Sequence, residues 1–335
     1  MRILVLGGTK FVGRSYVEEA LAAGHEVTLF NRGVTNPDLF PEVEHVHGDR
    51  DVDLAPLRGR TWDVAFDPAC YLPRHARTAA EALRDAVEHY AFVSTLGVYA
   101  DEETPDQGED GPLLELKDPS SENVHEDYGP LKVAAEREIT DAFGERALIL
   151  RPGFVVGPYD QIDRMPWWLR RIARGGEVLV PGEPDDPLDT VQLIDARDIA
   201  RFALAMAERR HGGVFNLCAP PDGLRLERLL DICAEVTGST GVTYTYVSEA
   251  LLLEDGLDAW EPLPYWVASR YAAFRRFDAS AALAAGLEVR PVRESFRDCW
   301  AWDRARGSEP LSDRAGITAE HEDRLLAAWH ARALP

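Results

Sequence analysis

Tyr128 and Lys132 stand four residues apart in Tyr-Gly-Pro-Leu-Lys, a spacing that puts both side chains on one face of a helix. An ammonium beside a phenol lowers the phenol's pKa from about 10 towards neutrality, which a general acid or base requires. The chain has only three lysines, Lys10, Lys117 and Lys132, against 33 arginines, so a lysine at this spacing is informative. Pro130 is acceptable in a first helical turn. The apolar run Phe92 to Tyr99 delivers Ser94 and Thr95 to the end of a strand, the edge at which α/β proteins bind ligands. There the two hydroxyls would hold a substrate oxygen beside Tyr128.

A second set lies at the start of the chain, where the apolar run Arg2 to Leu6 meets Gly7-Gly-Thr-Lys-Phe-Val-Gly13 and then a helical pattern. A dinucleotide pyrophosphate needs this context: a tight glycine turn, close backbone approach and exposed amides at a helix start. The expected contacts are Gly7, Thr9, Lys10, Phe11, Val12 and Gly13, with the Lys10 ammonium meeting a phosphate where a middle glycine is usual. The next strand ends in Asn31-Arg32-Gly33 rather than in the acid that would bind a ribose 2′-hydroxyl. Arginine suits a 2′-phosphate, so NADP is expected over NAD.

These residues need elements to carry them. Strand patterns at residues 2–6, 26–30, 43–47, 63–66, 91–94 and 147–150 alternate with helical patterns at 11–23, 74–88 and 130–143. Such alternation implies a doubly wound parallel α/β sheet covered on both faces, a Rossmann arrangement. The expected division is residues 1–160 with about 190–220 as the dinucleotide-binding domain, and 161–189 with 221–335 as a smaller mixed substrate region ending in a helical tail. The chain beyond residue 160 has a Gly/Pro/Asp loop from Gly175 to Pro187, a strand at 191–194 and a helix from Ala196. It also holds seven of the eight tryptophans, Trp260 included, for packing or for a pocket wall.

Composition narrows the partners. At 335 residues, 45% hydrophobic and 28% charged, the chain suits one large or two modest folded domains. A net charge of −22 repels phosphate backbones and anionic lipid, so neither nucleic acid nor membrane is expected as a partner. No apolar stretch approaches the roughly 18 residues that span a bilayer, and the cytoplasm is the expected location. Cys70, Cys218, Cys233 and Cys299 show neither a disulfide framework nor a zinc pattern, and the nine histidines show no metal spacing. Asp101 to Asp127 carries eleven carboxylates against Lys117 alone. A solvated loop is the expected reading, and a flap that attracts a cationic substrate is the sharper one.

Together these motifs resemble the extended short-chain dehydrogenase/reductase family, also called the NAD-dependent epimerase/dehydratase family, to about residue 305. The resemblance rests on Gly7 to Gly13, Gly48-Asp49, Asp63 to Cys70, Ser94-Thr95 with Val98-Tyr99, Tyr128 with Lys132, Arg151 to Pro158 and Ile194 to Asp198. It implies that Tyr128 transfers the proton, that Lys132 binds the nicotinamide ribose and tunes the tyrosine, and that Thr95 is the substrate-side hydroxyl. It also implies Asp49 near the adenine, Ala69 on the adenosine side, and Pro152, Phe154 and Val155 at the nicotinamide. Lys10 is similar to a divergent Gly-Gly-Thr branch that includes the chloroplast stem-loop-binding proteins. Leu96-Gly97 replace the Asp-Glu pair of sugar-nucleotide 4,6-dehydratases, so elimination is not expected.

The resulting expectation is an NAD(P)-dependent oxidoreductase or epimerase that moves hydride between nicotinamide and a small-molecule alcohol or ketone. The substrate would lie near Tyr71, Trp167 and Gln192. A homodimer through helices at 74–88 and 130–143 follows by analogy with the family. Two other readings stay open: a non-catalytic cofactor-binding or RNA-associated protein, and a sugar-nucleotide epimerase with tightly bound NAD.

Overall fold

The computed structural model describes residues 1–333 apart from 185, 187–189, 221–223 and 258–262; Pro187 and Trp260, named above, lie outside the described residues. The first half runs β1 (Arg2–Leu6), α1 (Phe11–Ala22), β2 (Glu26–Asn31), β3 (Glu44–His47), β4 (Trp62–Asp67), α2 (Pro73–Leu83), β5 (Val87–Val93), α3 (Tyr128–Phe143) and β6 (Ala147–Pro152). The second half continues with β7 (Phe154–Val156), α4 (Arg164–Arg174), β8 (Gly176–Pro181), β9 (Leu193–Asp195), α5 (Ala196–Glu208), β10 (Gly213–Leu217), α6 (Leu226–Thr237) and β11 (Val242–Val247). Helices α7 (Glu249–Glu254), α8 (Ser280–Ala284), α9 (Val292–Ala305) and α10 (Ala319–Ala333) complete it.

Seven strands form one parallel sheet in the order β10-β6-β5-β4-β1-β2-β3. Strand β1 explains why both faces must be covered. Ile3 and Val5 pack on one side with α1 and α5 residues such as Val17 and Ile199; Leu4 and Leu6 pack on the other with α2 and α3 residues such as Ala79 and Ile139. A central strand with no polar face is what a parallel sheet between two helical layers requires. The strand order reverses at β1, which pairs with β2 on one flank and β4 on the other. The crevice at their carboxyl ends is the ligand position of an open α/β sheet.

Two local expectations are corrected. The helix expected over 74–88 stops at Leu83, and β5 begins at Val87 rather than Ala91. Leu83 and Val87 continue the helical apolar spacing, but Trp62 N donates to Ala86 O and the register Trp62↔Val87 starts strand pairing there. The expected loop from Gly175 contains β8, whose Val178-Leu179-Val180 is buried and which pairs in parallel with β11. Glycine and proline at its ends masked a strand whose partner lies over sixty residues further on. Among the described residues no helix is long and apolar enough to cross a membrane.

Candidate active site

The carboxyl edge of β5 and the start of α3 meet at one point. Thr95 caps the short turn Leu96–Val98 by accepting from Gly97 N at 3.1 Å, which fixes its hydroxyl at the end of the strand. Helix α3 reaches that turn because residue 129 is glycine: a Cβ there would stand 2.2 Å from Gly97 O and 2.7 Å from a Leu114 methyl. Tyr128, the first residue of α3, is thereby set beside Thr95. Tyr128 is 37% exposed. Burial pushes the phenol above its ordinary value, and a hydrogen bond with Thr95 and the charge of Arg164 pull it back.

Gly129→Ala is therefore expected to lower both stability and turnover. The clash should cost about 1–3 kcal/mol, more than the roughly 0.5–1 kcal/mol an alanine contributes to a helix. A shift of about 1 Å at Tyr128 can cost on the order of 10²-fold in rate. Urea midpoints and kcat check both effects; a variant that matches the parent in both would remove Gly129 from the positioning of Tyr128.

Lys132 lies one turn further along α3 and is only 2% exposed. Its Nζ donates to Cys70 O at 2.7 Å and to Val93 O at 2.9 Å, tying α3 to the ends of β4 and β5. It stands 4.9 Å from the Tyr71 ring centroid and 6.0 Å from that of Tyr128. Burial lowers its own pKa. Helical spacing put Lys132 on the Tyr128 face of α3, and the structure sets its Nζ on two backbone carbonyls there. Ser94 differs from expectation: it is 3% exposed, and its Oγ is sealed by protein without a hydrogen-bond partner among the described residues. A substrate oxygen has access to Thr95, not to Ser94.

The glycine-rich segment fits a dinucleotide phosphate. Gly7 and Gly8 adopt φ of +124° and +90°, which side chains rarely tolerate, and a Cβ on Gly13 would meet the Gly8 backbone at 3.2 Å. Lys10 occupies the N-cap of α1 with no side-chain cap, and the first turn carries no acid, so its amides are left for an anion. Thr9 is buried, Phe11 and Val12 are half-buried, and the Lys10 side chain is exposed. Asn31 braces the loop instead of pointing outward: its Nδ2 donates to Gly7 O at 3.2 Å and its Oδ1 accepts from Gly33 N at 2.9 Å. Arg32 is exposed at the same strand end, with no ion pair among the described residues.

Asp49 Oδ1 accepts from Asp51 N at 3.0 Å, turning the chain after β3. Ala69 is exposed just beyond β4, Pro152 is buried at the end of β6, and Phe154 and Val155 are half-buried on β7. A feature with little sequence signal lies beneath them. Asp67, wholly buried at the end of an apolar strand, accepts from Arg50 at 2.8 Å and from the Tyr90 hydroxyl at 2.9 Å.

Of the three expected substrate residues, Tyr71 is placed at the site, 44% exposed with its ring centroid 6.3 Å from that of Tyr128. The other two are spent on structure. Trp167 Nε1 donates to Ile317 O at 3.0 Å and the ring lies against Gly316. Gln192, 5% exposed, donates to Ala219 O and Phe277 O and accepts from Phe277 N. The acidic segment is likewise docked rather than free. Asp106 pairs with Arg276 and Glu122 with Arg74, while Glu109 accepts from Asn216 N. The four cysteines are free and buried, with Cys70 pushed up to about 12 by burial. Among the described residues no three metal-ligating side chains cluster.

The sheet order and the glycine turn define a doubly wound parallel α/β fold of the Rossmann type. Residues 74–218 match the model of the NAD dependent epimerase/dehydratase family. The chain is similar to the chloroplast stem-loop binding protein of 41 kDa b from Arabidopsis thaliana, 25% identical over 255 residues, which cover 71% of this chain and 63% of that protein. The match thus spans less than two thirds of that relative. In fold it is similar to UDP-glucose 4-epimerase of Thermus thermophilus in complex with NAD, with TM-score 0.65, 21% identity and coverage of 92% and 100%. UDP-glucuronic acid 4-epimerase from Bacillus cereus, also in complex with NAD, aligns with TM-score 0.66 and 16% identity over 91% of this chain and 99% of that one.

Proposed function

We propose that the protein is an NADP(H)-dependent oxidoreductase or epimerase acting on a small alcohol or ketone, with Tyr128 as the proton-transfer residue. The observation that carries this reading is the Tyr128 phenol and the Thr95 hydroxyl brought together at the carboxyl edge of the sheet, with the buried Lys132 ammonium 6.0 Å from the phenol ring. The nicotinamide, when bound, supplies or accepts the hydride. Tyr128 gives its proton to the substrate oxygen or takes one from it, and Thr95 orients that oxygen. Lys132 spends two N–H donors on Cys70 O and Val93 O and keeps one for a ribose hydroxyl. Gly7 to Gly13 would hold the pyrophosphate, Asp49 and Ala69 the adenosine, and Pro152, Phe154 and Val155 the nicotinamide face. The proposed division puts these residues in 1–160 with about 190–220, the substrate region in the remainder, and a dimer interface on α2 and α3.

NADP is favoured over NAD because no carboxylate ends β2, while Arg32 and Lys10 are both exposed there. Removing one charge-assisted contact costs about 1.5–3 kcal/mol, or roughly 10–100-fold in affinity. Arg32→Ala should therefore weaken NADPH binding by at least about tenfold in a fluorescence titration and change NADH binding little. An equal loss for both cofactors would remove the 2′-phosphate reading.

The second reading, a sugar-nucleotide epimerase with tightly held NAD, draws support from the NAD-bound UDP-sugar epimerases that share the fold. Absorbance of the purified protein separates the two, since tightly held NAD copurifies and an exchanging NADP does not. A non-catalytic RNA-associated role draws support from the stem-loop binding relative. It leaves the Tyr128, Lys132 and Thr95 arrangement unexplained and conflicts with a net charge of −22.

A further inference from the structure

Lys132 is a buried ammonium with which no carboxylate pairs among the described residues. The acids whose charges reach it, Asp67 and Glu136, are committed elsewhere. Asp67, at the end of β4, accepts from Arg50 and from the Tyr90 hydroxyl, while Glu136, one turn further along α3, holds the Arg151 guanidinium with both oxygens. Two dipeptides surround the ammonium instead. Cys70-Tyr71, after β4, gives the Cys70 carbonyl at 2.7 Å and the Tyr71 ring centroid at 4.9 Å. Phe92-Val93, closing β5, gives the Val93 carbonyl at 2.9 Å and the Phe92 ring centroid at 5.0 Å. The Tyr128 ring completes the set at 6.0 Å. The Cys70 thiol, also within electrostatic reach, stays neutral because burial pushes it up to about 12.

Taking a cation out of water without a counter-charge is costly, and burial weakens the hold of Lys132 on its proton. An aromatic face offsets part of that cost, because its quadrupole attracts a cation within about 6 Å, most strongly where water is excluded. We infer that Tyr71 and Phe92 are positioning residues whose rings, with the two carbonyls, form an aromatic cage that keeps the Lys132 cation in place one helical turn from Tyr128. The two walls differ: Phe92 is wholly buried in the core, whereas Tyr71 is 44% exposed at the site. Tyr71 can therefore be replaced without opening the core. The bearing of the cage on proton transfer rests on the proposed role of Tyr128; the cage itself does not.

Because the chain has only three lysines, Lys132 can be read directly. The protein is labelled with carbon-13 at lysine Cε and the three NMR resonances are followed against pH, with Lys10→Arg and Lys117→Arg each removing one so that Lys132 is assigned. Rings that favour the cation keep its proton on to higher pH, so Tyr71→Leu should bring the Lys132 titration down by on the order of one pH unit and leave Lys10 and Lys117 unmoved. Tyr71→Phe keeps the ring and should titrate with the parent. The inference is overturned if Tyr71→Leu leaves Lys132 unmoved or shifts it upward, since an upward shift marks a site that has merely loosened and let water reach the ammonium. It is also overturned if Tyr71→Phe shifts as far as Tyr71→Leu, which would assign the effect to the hydroxyl. In a turnover assay the alkaline fall in kcat should move with the Lys132 titration. If the parent turns over no alcohol or ketone, the oxidoreductase reading fails, and the lysine titration still decides the cage.

Discussion

Tyr128→Phe is expected to lower turnover by on the order of 10²–10⁴-fold, the range that a positioned acid or base supplies, while leaving cofactor affinity almost unchanged. Only the hydroxyl is lost, and the ring keeps its place at the head of α3. The core is untouched because the residue is partly open to solvent, so the urea midpoint should hold. Thr95 still accepts from Gly97 N, and the strand end keeps its shape. In the alcohol-oxidising direction the parent rate should climb with pH as the phenol ionises. Burial raises that titration above the ordinary value, and Thr95 and Arg164 draw it down. The residual rate of the variant should show no such limb. Full activity in Tyr128→Phe, with a pH profile like the parent's, would remove the proposed mechanism.

Arg151→Met should produce the largest loss of stability, about 3–5 kcal/mol, because it leaves a buried carboxylate without its counter-charge. Arg151 on β6 makes two bonds to Glu136 of α3, at 3.1 and 2.7 Å, and both residues are buried. It also donates to the Tyr99 hydroxyl at 2.9 Å and to Glu109 O at 3.1 Å, so one guanidinium joins the sheet, α3, the turn after Thr95 and the acidic segment. Glu136 lies on the face of α3 that carries Tyr128 and Lys132, at successive spacings of four. Turnover should therefore fall in whatever fraction remains folded. Combining Arg151→Met with Glu136→Leu should recover part of the lost stability, since a buried pair replaced whole by apolar side chains costs far less than one broken in half. Chemical denaturation of the parent, the single and the double variants checks this. A single-variant loss below about 1 kcal/mol would show that the carboxylate is readily rehydrated and that the network does not hold α3 in place.

The legible parts of this protein were those whose physics is local. Alternating apolar strands and helices announced the doubly wound sheet, and the glycine cluster after β1 announced a tight turn with positive φ, because backbone conformation is set within a few residues. The spacing of Tyr128 and Lys132 placed them on one helical face for the same reason. Parts that depend on distant neighbours were misread. Trp167 and Gln192 looked available to a substrate, but Ile317 and Phe277, remote in sequence, take their hydrogen bonds. Strand β8 was hidden because its partner β11 lies far along the chain. The end of α2 was overrun because the strand pairing that stops it comes from Trp62.

Sequence by itself determined the residue types at the site: a phenol, an ammonium one helical turn away, a hydroxyl at a strand end and a glycine-rich turn. Only the tertiary structure decided how they are wired. It gave two of the Lys132 donors to backbone carbonyls, sealed Ser94 from ligand, and set Arg164, 36 residues from Tyr128, where its charge reaches the phenol. The physical reason is range. Helical spacing and glycine conformation act between neighbours in sequence, whereas burial and electrostatics act between neighbours in space, and it is packing that makes residues 128 and 164 neighbours.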